Sequence, residues 1–301
     1  MKLATYKDGS RDGQLVVVSR DLATAHYATG MAGTMRQLLD DWNFIAPQLQ
    51  DLYVTLNQGR ARHAFPFEPR MCMAPLPRAS QWVEARDPVA WSEAREAGRQ
   101  AAGPALMQSA GDDLLGPCDD AVVVDESLEA DLGPGIAVLT GDLPLGSTPG
   151  AALDGVRLLL LYNAVWLRRV EAQELQQGLG LLQARVATAF GPVAVTPDEV
   201  GDAWQQGRLA LSLTTSRNGQ RQGRCDAGAG DWHFGQLLAH LCRTRRLRGG
   251  TLLGAEMFPR PQDGASGHGG LSYGDVLGVE VQGRDGQSLF GAIDQVISPV
   301  D

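Results

Sequence analysis

The sequence predicts an α+β fold. Short strand candidates are numerous and helix candidates few. They do not alternate in the way a βαβ fold requires. No GxGxxG or Walker-type loop follows a strand candidate, so a nucleotide-binding sheet is not expected. The 301 residues suit one large or two modest units. The expected division is a small unit over residues 1–70 and a larger one over 71–301. With 44% apolar and 20% charged residues, the chain has material for a core, and wholesale disorder is excluded.

The elements follow in order. Lys2–Tyr6 and Gln14–Ser19 flank KDGSRDG and predict a hairpin. Thr34 and Gln37 form a candidate capping box. Met35, Leu38, Leu39, Trp42 and Ile45 then recur at helical spacing. Pro47 suits the first position of a second helix, with Leu49, Leu52, Tyr53 and Leu56 on its face and Gly59 at its end. Residues 60–82, rich in Pro and Arg, read as a connection. Residues 83–110 read as irregular helix. Beyond them the chain is strand-rich, with candidates at Ala121–Asp125 and Gly135–Thr140.

Ser147-Thr148-Pro149 starts a short helix that leads into the apolar strand LLLLYNAV, and Thr196-Pro197 repeats the start signal. Leu209–Thr215 and the strand after it surround the turn Asn218-Gly219. Phe234, Leu237, Leu238, Leu241 and Cys242 share a helix face expected to end at Gly249-Gly250. Val276–Val281 and Ser288–Ile293 are the last strand candidates, around GRDG.

Charge narrows the function classes. There are 26 Lys+Arg against 35 Asp+Glu, a formal net charge of -9. This argues against nucleic acid or an anionic membrane as the main partner. Only Lys2 and Lys7 are lysines, so no interior amine can form a Schiff base or act as a neutral base. Arg243, Arg245, Arg246 and Arg248 cluster at the expected helix end, where cations oppose the dipole; an anion site is the alternative. Cys72, Cys118, Cys225 and Cys242 form neither a disulfide framework nor a zinc pattern. The N-terminus lacks an apolar signal core, and Val156–Leu167 is too short and too polar to span a bilayer. A cytoplasmic location is the expectation.

Residue types alone supply no catalytic motif. There is no GxSxG. His233 and His240, seven apart, share a helix face but lack the i,i+4 zinc spacing. His268 sits in GASGHGG, a solvated loop or one that gates a cleft. Asp112-Asp113 and Asp119-Asp120 read as loop-capping pairs, since adjacent residues on extended chain face opposite ways.

Longer segments resemble the fumarylacetoacetate hydrolase family, and its short bacterial fumarylacetoacetase type in particular. They are MKLATYKDGSRDGQLVVVSRD, NQGRARHAFPF, MAPLPRASQW, DDLLGPCDD, VATAFGPVAVTPDEVGDAW, WHFGQLLAHLCRTRRLRGGTLLG and YGDVLGVEV with SLFGAIDQ. The resemblance spans nearly the whole chain in order. It implies a small N-terminal α/β domain, a C-terminal mixed β-roll and a dimer. It also implies cleavage or rearrangement of C–C bonds in oxo acids, with Mg²⁺ or Ca²⁺ held by carboxylates.

Carried across residue by residue, the family pattern meets departures. The tail Ile136-Ala137-Val138-Leu139-Thr140-Gly141-Asp142 places the two family glutamates on Gly133 and Gly135, with Pro134 between. Tyr162-Asn163-Ala164-Val165-Trp166 places the ligand aspartate on Ala164. Gln183-Ala184-Arg185-Val186-Ala187-Thr188 places the catalytic lysine on Arg185. From Gln81-Trp82, the first ligand aspartate falls on Glu84 and the catalytic histidine on Trp91, with Glu93 two residues further. The late loop reads Gly254-Ala255-Glu256-Met257-Phe258-Pro259. Three ligand carboxylates are thus replaced, and one carboxylate does not hold a hard divalent cation. Asp131 lies near the lost glutamates but does not restore four ligands.

The expected cleft residues are Glu84, Trp91, Glu93, Trp166, Arg185, Met257 and Phe258, with no bound metal cofactor. Large apolar groups beside Arg185 either fill an unused cavity or form a pocket for an apolar or aromatic acid. Three functions compete. The first is a pseudoenzyme with a binding or scaffold role, as a homodimer or as a heterodimer with an active paralogue. The second is a metal-independent enzyme using Glu84 or Glu93 with Arg185. The third is an active hydrolase of fumarylacetoacetate or acylpyruvates.

Overall fold

The structure is a computed structural model that describes residues 1–85, 103–178, 181–228, 230–257, 260–261 and 270–300. The chain opens with strands β1 (Lys2–Tyr6), β2 (Gln14–Val18) and β3 (Thr24–Tyr27), helices α1 (Met35–Asp40) and α2 (Trp42–Asn57), and strand β4 (Phe65–Pro66). Strands β5 (Gln81–Ala85), β6 (Leu106–Ser109), β7 (Leu114–Leu115), β8 (Ala121–Val122), β9 (Ala130–Asp131) and β10 (Pro134–Thr140) follow. Helix α3 (Pro149–Asp154) leads into β11 (Val156–Leu167), and α4 (Arg168–Gln177) into β12 (Arg185–Phe190) and β13 (Ala194–Val195). The rest comprises α5 (Pro197–Val200), β14 (Trp204–Gln205), β15 (Arg208–Leu209), β16 (Ser212–Arg217), β17 (Gln220–Asp226), α6 (Phe234–Leu241), β18 (Thr251–Glu256), β19 (Arg260–Pro261), β20 (Val276–Gln282) and β21 (Ile293–Ser298). The α+β expectation holds.

One large mixed sheet runs β4-β3-β2-β1-β13-β11-β10-β18-β5-β6. A second runs β19-β17-β16-β20-β21-β8. The N-terminal hairpin therefore continues the large sheet through the β1–β13 pairing. Strands β10 and β11 are its centre and are buried on both faces. Ile136, Val138, Leu159 and Leu161 enter one core. Ala137, Leu139, Leu158, Leu160 and Tyr162 enter the other. Strand alternation requires this division, and it explains the nearly unbroken apolar run in the sequence.

Several local expectations are met for the stated reasons. The Thr34 side chain accepts from the Gln37 amide at the start of α1. The Thr148 hydroxyl does the same for Ala151 in α3. Asn218 and Gly219 both have positive φ, 54° and 75°, as a tight two-residue hairpin turn requires.

Others are corrected. Pro47 lies inside α2, which starts at Trp42. It is tolerated because it faces solvent, as does Asn43, whose carbonyl loses its helical donor. Gln81–Ala85 and Leu106–Ser109 are strands, where the sequence predicts a connection up to residue 82 and irregular helix from 83, because β5 pairs with β18 and β6 then pairs with β5. Helix α6 ends at Leu241, well before Gly249-Gly250. Leu247 turns inward to bridge Leu143, so Arg243, Arg245, Arg246 and Arg248 lie beyond the helix. The last strand is Ile293–Ser298 rather than Ser288–Ile293, since Gly291 at φ 72° redirects the chain first.

Glu199 ties α2 to the sheet. Its buried carboxylate accepts from the Tyr53 hydroxyl at 2.6 Å and from Arg20 Nε at 2.9 Å. Burial raises its pKa, but the bonds from Arg20 and Tyr53 outweigh this and hold it below the ordinary value. A depressed carboxylate stabilises the fold above the unfolded pKa, and that contribution is lost as pH falls through the folded one. Glu199→Gln is expected to lower stability at pH 7 by about 1–3 kcal/mol. It should also flatten the loss of stability on acidification, read by urea unfolding across the acid range.

Candidate functional site: a buried carboxylate–guanidinium cluster

Four strands bring the site together. Glu84 comes from β5, Arg185 from the start of β12 and Glu256 from the end of β18, while β10 lies between β11 and β18. Alternation along β5 puts Glu84 on the same face as Trp82. Trp82 packs edge-on against Tyr162, with ring centroids 5.1 Å apart, and lies 5.6 Å from Phe190. This aromatic group lies on the same side of β5 as Glu84.

Arg185 sits between the two glutamates. Its Nε is 3.5 Å from Glu84 Oε2, and its Nη2 is 3.4 Å from Glu256 Oε2. Both carboxylate side chains are 0% exposed, and that of Arg185 is 7% exposed. Ser109 Oγ donates to Glu84 Oε2 at 2.5 Å. Burial opposes the Arg185 charge, but Glu84 and Glu256 outweigh it and raise its pKa above the ordinary arginine value. The guanidinium is a permanent cation here, so it cannot act as a proton donor or base. The pairing is incomplete. Among the described residues, Glu84 Oε1 and Arg185 Nη1 are buried without a hydrogen-bond partner.

The glycines explain how Glu256 reaches this position. Gly135 is the register partner of Glu256. A Cβ on Gly133 would lie 2.6 Å from Glu256 Oε1. A Cβ on Gly135 would lie 2.4 Å from the Ala255 carbonyl oxygen and 2.6 Å from the Tyr162 ring. Glu256 and Tyr162 therefore occupy volume that side chains at 133 and 135 would need. Ala164 is 1% exposed on the same face, in the core that holds Trp82 and Tyr162.

Among the expected cleft residues, Glu84 and Arg185 meet directly. Met257 is buried at the end of β18. Trp166 is also buried, and its indole N–H donates to the Leu132 carbonyl at 3.4 Å. Asp131 accepts from the Leu132 amide and lies 3.7 Å from Arg168 Nε. Trp91, Glu93, Phe258 and His268 lie outside the described residues. Sequence reasoning missed Glu256 as a partner of Arg185. The one local signal was a carboxylate in an otherwise apolar stretch, and its significance depends on a register the sequence does not state.

Among the described residues, the side chains at this cluster do not make a donor set for a divalent cation. Gly133, Gly135 and Ala164 have no side-chain oxygen, and the two buried carboxylates face a guanidinium. Among the described residues no group of three or more His, Cys, Asp or Glu is placed to hold a metal. His233 stands at the N-terminus of α6, and its backbone amide donates to Gln236 Oε1 at 3.1 Å. Asp119 caps Gly116 and pairs with Lys7, and Asp120 accepts from Ser298.

The family models for the fumarylacetoacetase N-terminal domain 2 and the fumarylacetoacetate hydrolase C-terminal domain match residues 1–78 and 83–292. The chain belongs to the fumarylacetoacetate hydrolase family. Solved structures with the same fold include a probable 2-hydroxyhepta-2,4-diene-1,7-dioate isomerase from Mycobacterium abscessus, 18% identical with a TM-score of 0.69. A fumarylacetoacetate hydrolase from Exiguobacterium antarcticum is 20% identical at 0.66. The maleylpyruvate hydrolase from Sphingobium sp. SYK-6, in complex with manganese(II) and pyruvate, is 15% identical at 0.69. Each alignment covers 100% of both chains. No curated protein sequence matches.

Two substitutions test the geometry. Arg185→Ala removes the only cation facing Glu84 in these pairings and should cost about 3–5 kcal/mol in denaturant unfolding. Gly135→Ala should cost about 1–3 kcal/mol, because the new methyl meets backbone on the neighbouring strand. A neutral Gly135→Ala would contradict the close packing of β10 against β18.

Proposed function

We propose that this family member does not carry out metal-dependent C–C hydrolysis and acts as a pseudoenzyme with a binding or scaffold role. The supporting observation is Arg185 buried between Glu84 and Glu256, where the family resemblance calls for ligand carboxylates and a lysine. A divalent cation needs several free carboxylate or carbonyl oxygens. The fixed guanidinium charge repels such a cation and already engages the two carboxylates. It cannot supply a proton to a leaving carbanion, because it does not deprotonate at accessible pH. A protein of this kind would work as a homodimer or beside an active paralogue, with no nucleic acid or membrane partner.

A second reading has one observation in its favour. Glu84 Oε1 and Arg185 Nη1 are a buried acceptor and a buried donor left unused. Buried polar atoms of this kind carry a cost unless a partner joins them. A small acidic or aromatic ligand entering beside Arg185 would use the donor, and Glu84 would be the available base for metal-independent chemistry.

Calorimetric titration with Mn²⁺ and Mg²⁺, followed by assays on maleylpyruvate and fumarylacetoacetate, tests the first reading. The expected result is no saturable binding in the cleft and no turnover above background with either ion. Metal-dependent turnover that disappears in Glu84→Gln would overturn it. Turnover that is insensitive to chelator would instead establish the second reading.

A further inference from the structure

A separate cavity of about 520 Å³ lies where the corner between α1 and α2 meets the far end of the central strands. Its walls include Arg36 and Trp42 from the helical corner, and Arg157 from the start of β11. Arg157 precedes Ala164 by seven residues on β11, roughly 23 Å along the strand at 3.3 Å per residue, so the cavity lies at the opposite end of β11 from Ala164. The size suits a small molecule, and junctions between packed units are common places for such sites.

The arginines around it fall into two kinds. Arg78 and Arg248 are neutralised, by Asp12 at 2.6 Å and Asp142 at 2.9 Å. Among the described residues, Arg36 and Arg157 have no carboxylate within ion-pair distance. Arg36 Nη2 donates to the Arg78 carbonyl at 2.9 Å. Arg157 Nη1 donates to the Asp154 carbonyl at 3.3 Å, and its guanidinium carbon lies over the Trp42 ring, 5.8 Å from the centroid. Arg157 Nε is buried without a hydrogen-bond partner. The Trp42 contact and the bond to the Asp154 carbonyl restrain the guanidinium, whose planar fork suits a carboxylate. Leu39 and Leu76 add apolar wall. Asp40 and Asp41 also line the cavity, and neither is in a salt bridge among the described residues. They favour a ligand that also carries hydrogen-bond donors.

We propose that this cavity binds a small carboxylic acid, with its carboxylate held between Arg36 and Arg157 and its apolar part against Trp42. The inference is independent of whether the buried cluster at the other end of the sheet is catalytic. The shared chemistry is the carboxylate, and three probes separate its sources. Succinate presents a second acid, benzoate an aromatic body, and phenylalanine an ammonium group for Asp40 and Asp41.

Calorimetry on the full chain with each probe is the test. At least one probe should bind saturably, and Arg36→Gln and Arg157→Gln should each weaken it about tenfold or more. Arg221→Gln, on the exposed hairpin of β17, should leave binding unchanged. Arg36 is exposed, so its variant is expected to fold even where Arg157→Gln does not. Tightest binding of phenylalanine would assign an amino acid, and tightest binding of succinate a dicarboxylate. No saturable binding by any probe, or binding untouched by Arg36→Gln, would overturn the proposal.

Discussion

Keeping charge inside the large sheet is the constraint on which the rest of this site depends. Glu84 and Glu256 have no solvent exposure, and a single guanidinium lies against both. A lone carboxylate at either position would be costly, since charge in a low-dielectric interior needs a partner. The arrangement therefore makes sense only as a unit. Strands β5, β12 and β18 must be in register for the charges to meet, and β10 must be slim enough for Glu256 to fold over it. Gly133 and Gly135 provide that slimness, and the Trp82–Tyr162 pair packs on the Glu84 side of β5.

This dependence gives the departures from the family pattern a common physical basis. Small residues at 133, 135 and 164 leave volume within the sheet. Glu256 fills part of that volume from the neighbouring strand. Arg185 then balances charge where a lysine is expected by resemblance. Arginine suits the position better than lysine would, because its planar fork can address two carboxylates at once. Restoring a glutamate at 133 or 135 would meet Glu256, the Ala255 carbonyl or Tyr162 before reaching open space. The local packing thus opposes longer side chains at both positions.

Much of the fold was legible in the sequence because its signals are local. The apolar run of β11, the caps at Thr34 and Thr148, and the Asn218-Gly219 turn each depend on near neighbours. The errors arise where distant chain decides. Residues 81–85 and 106–109 become strands because β18, more than 140 residues later, pairs with β5. Helix α6 stops early because Leu247 is drawn to Leu143. Within the site, Arg185 and Glu84 could be placed by resemblance. Glu256 could not, because its role depends on lying opposite Gly135 across a sheet. A contact made through strand register leaves no spacing rule in the sequence.

The central claim is that Arg185 and Glu256 form one coupled unit with Glu84. The most direct test is a double-mutant cycle by denaturant unfolding, using Arg185→Met, Glu256→Gln and the double variant. The account predicts that the double variant is more stable than the sum of the single losses implies, by at least about 1 kcal/mol. Strict additivity of the two losses would contradict it.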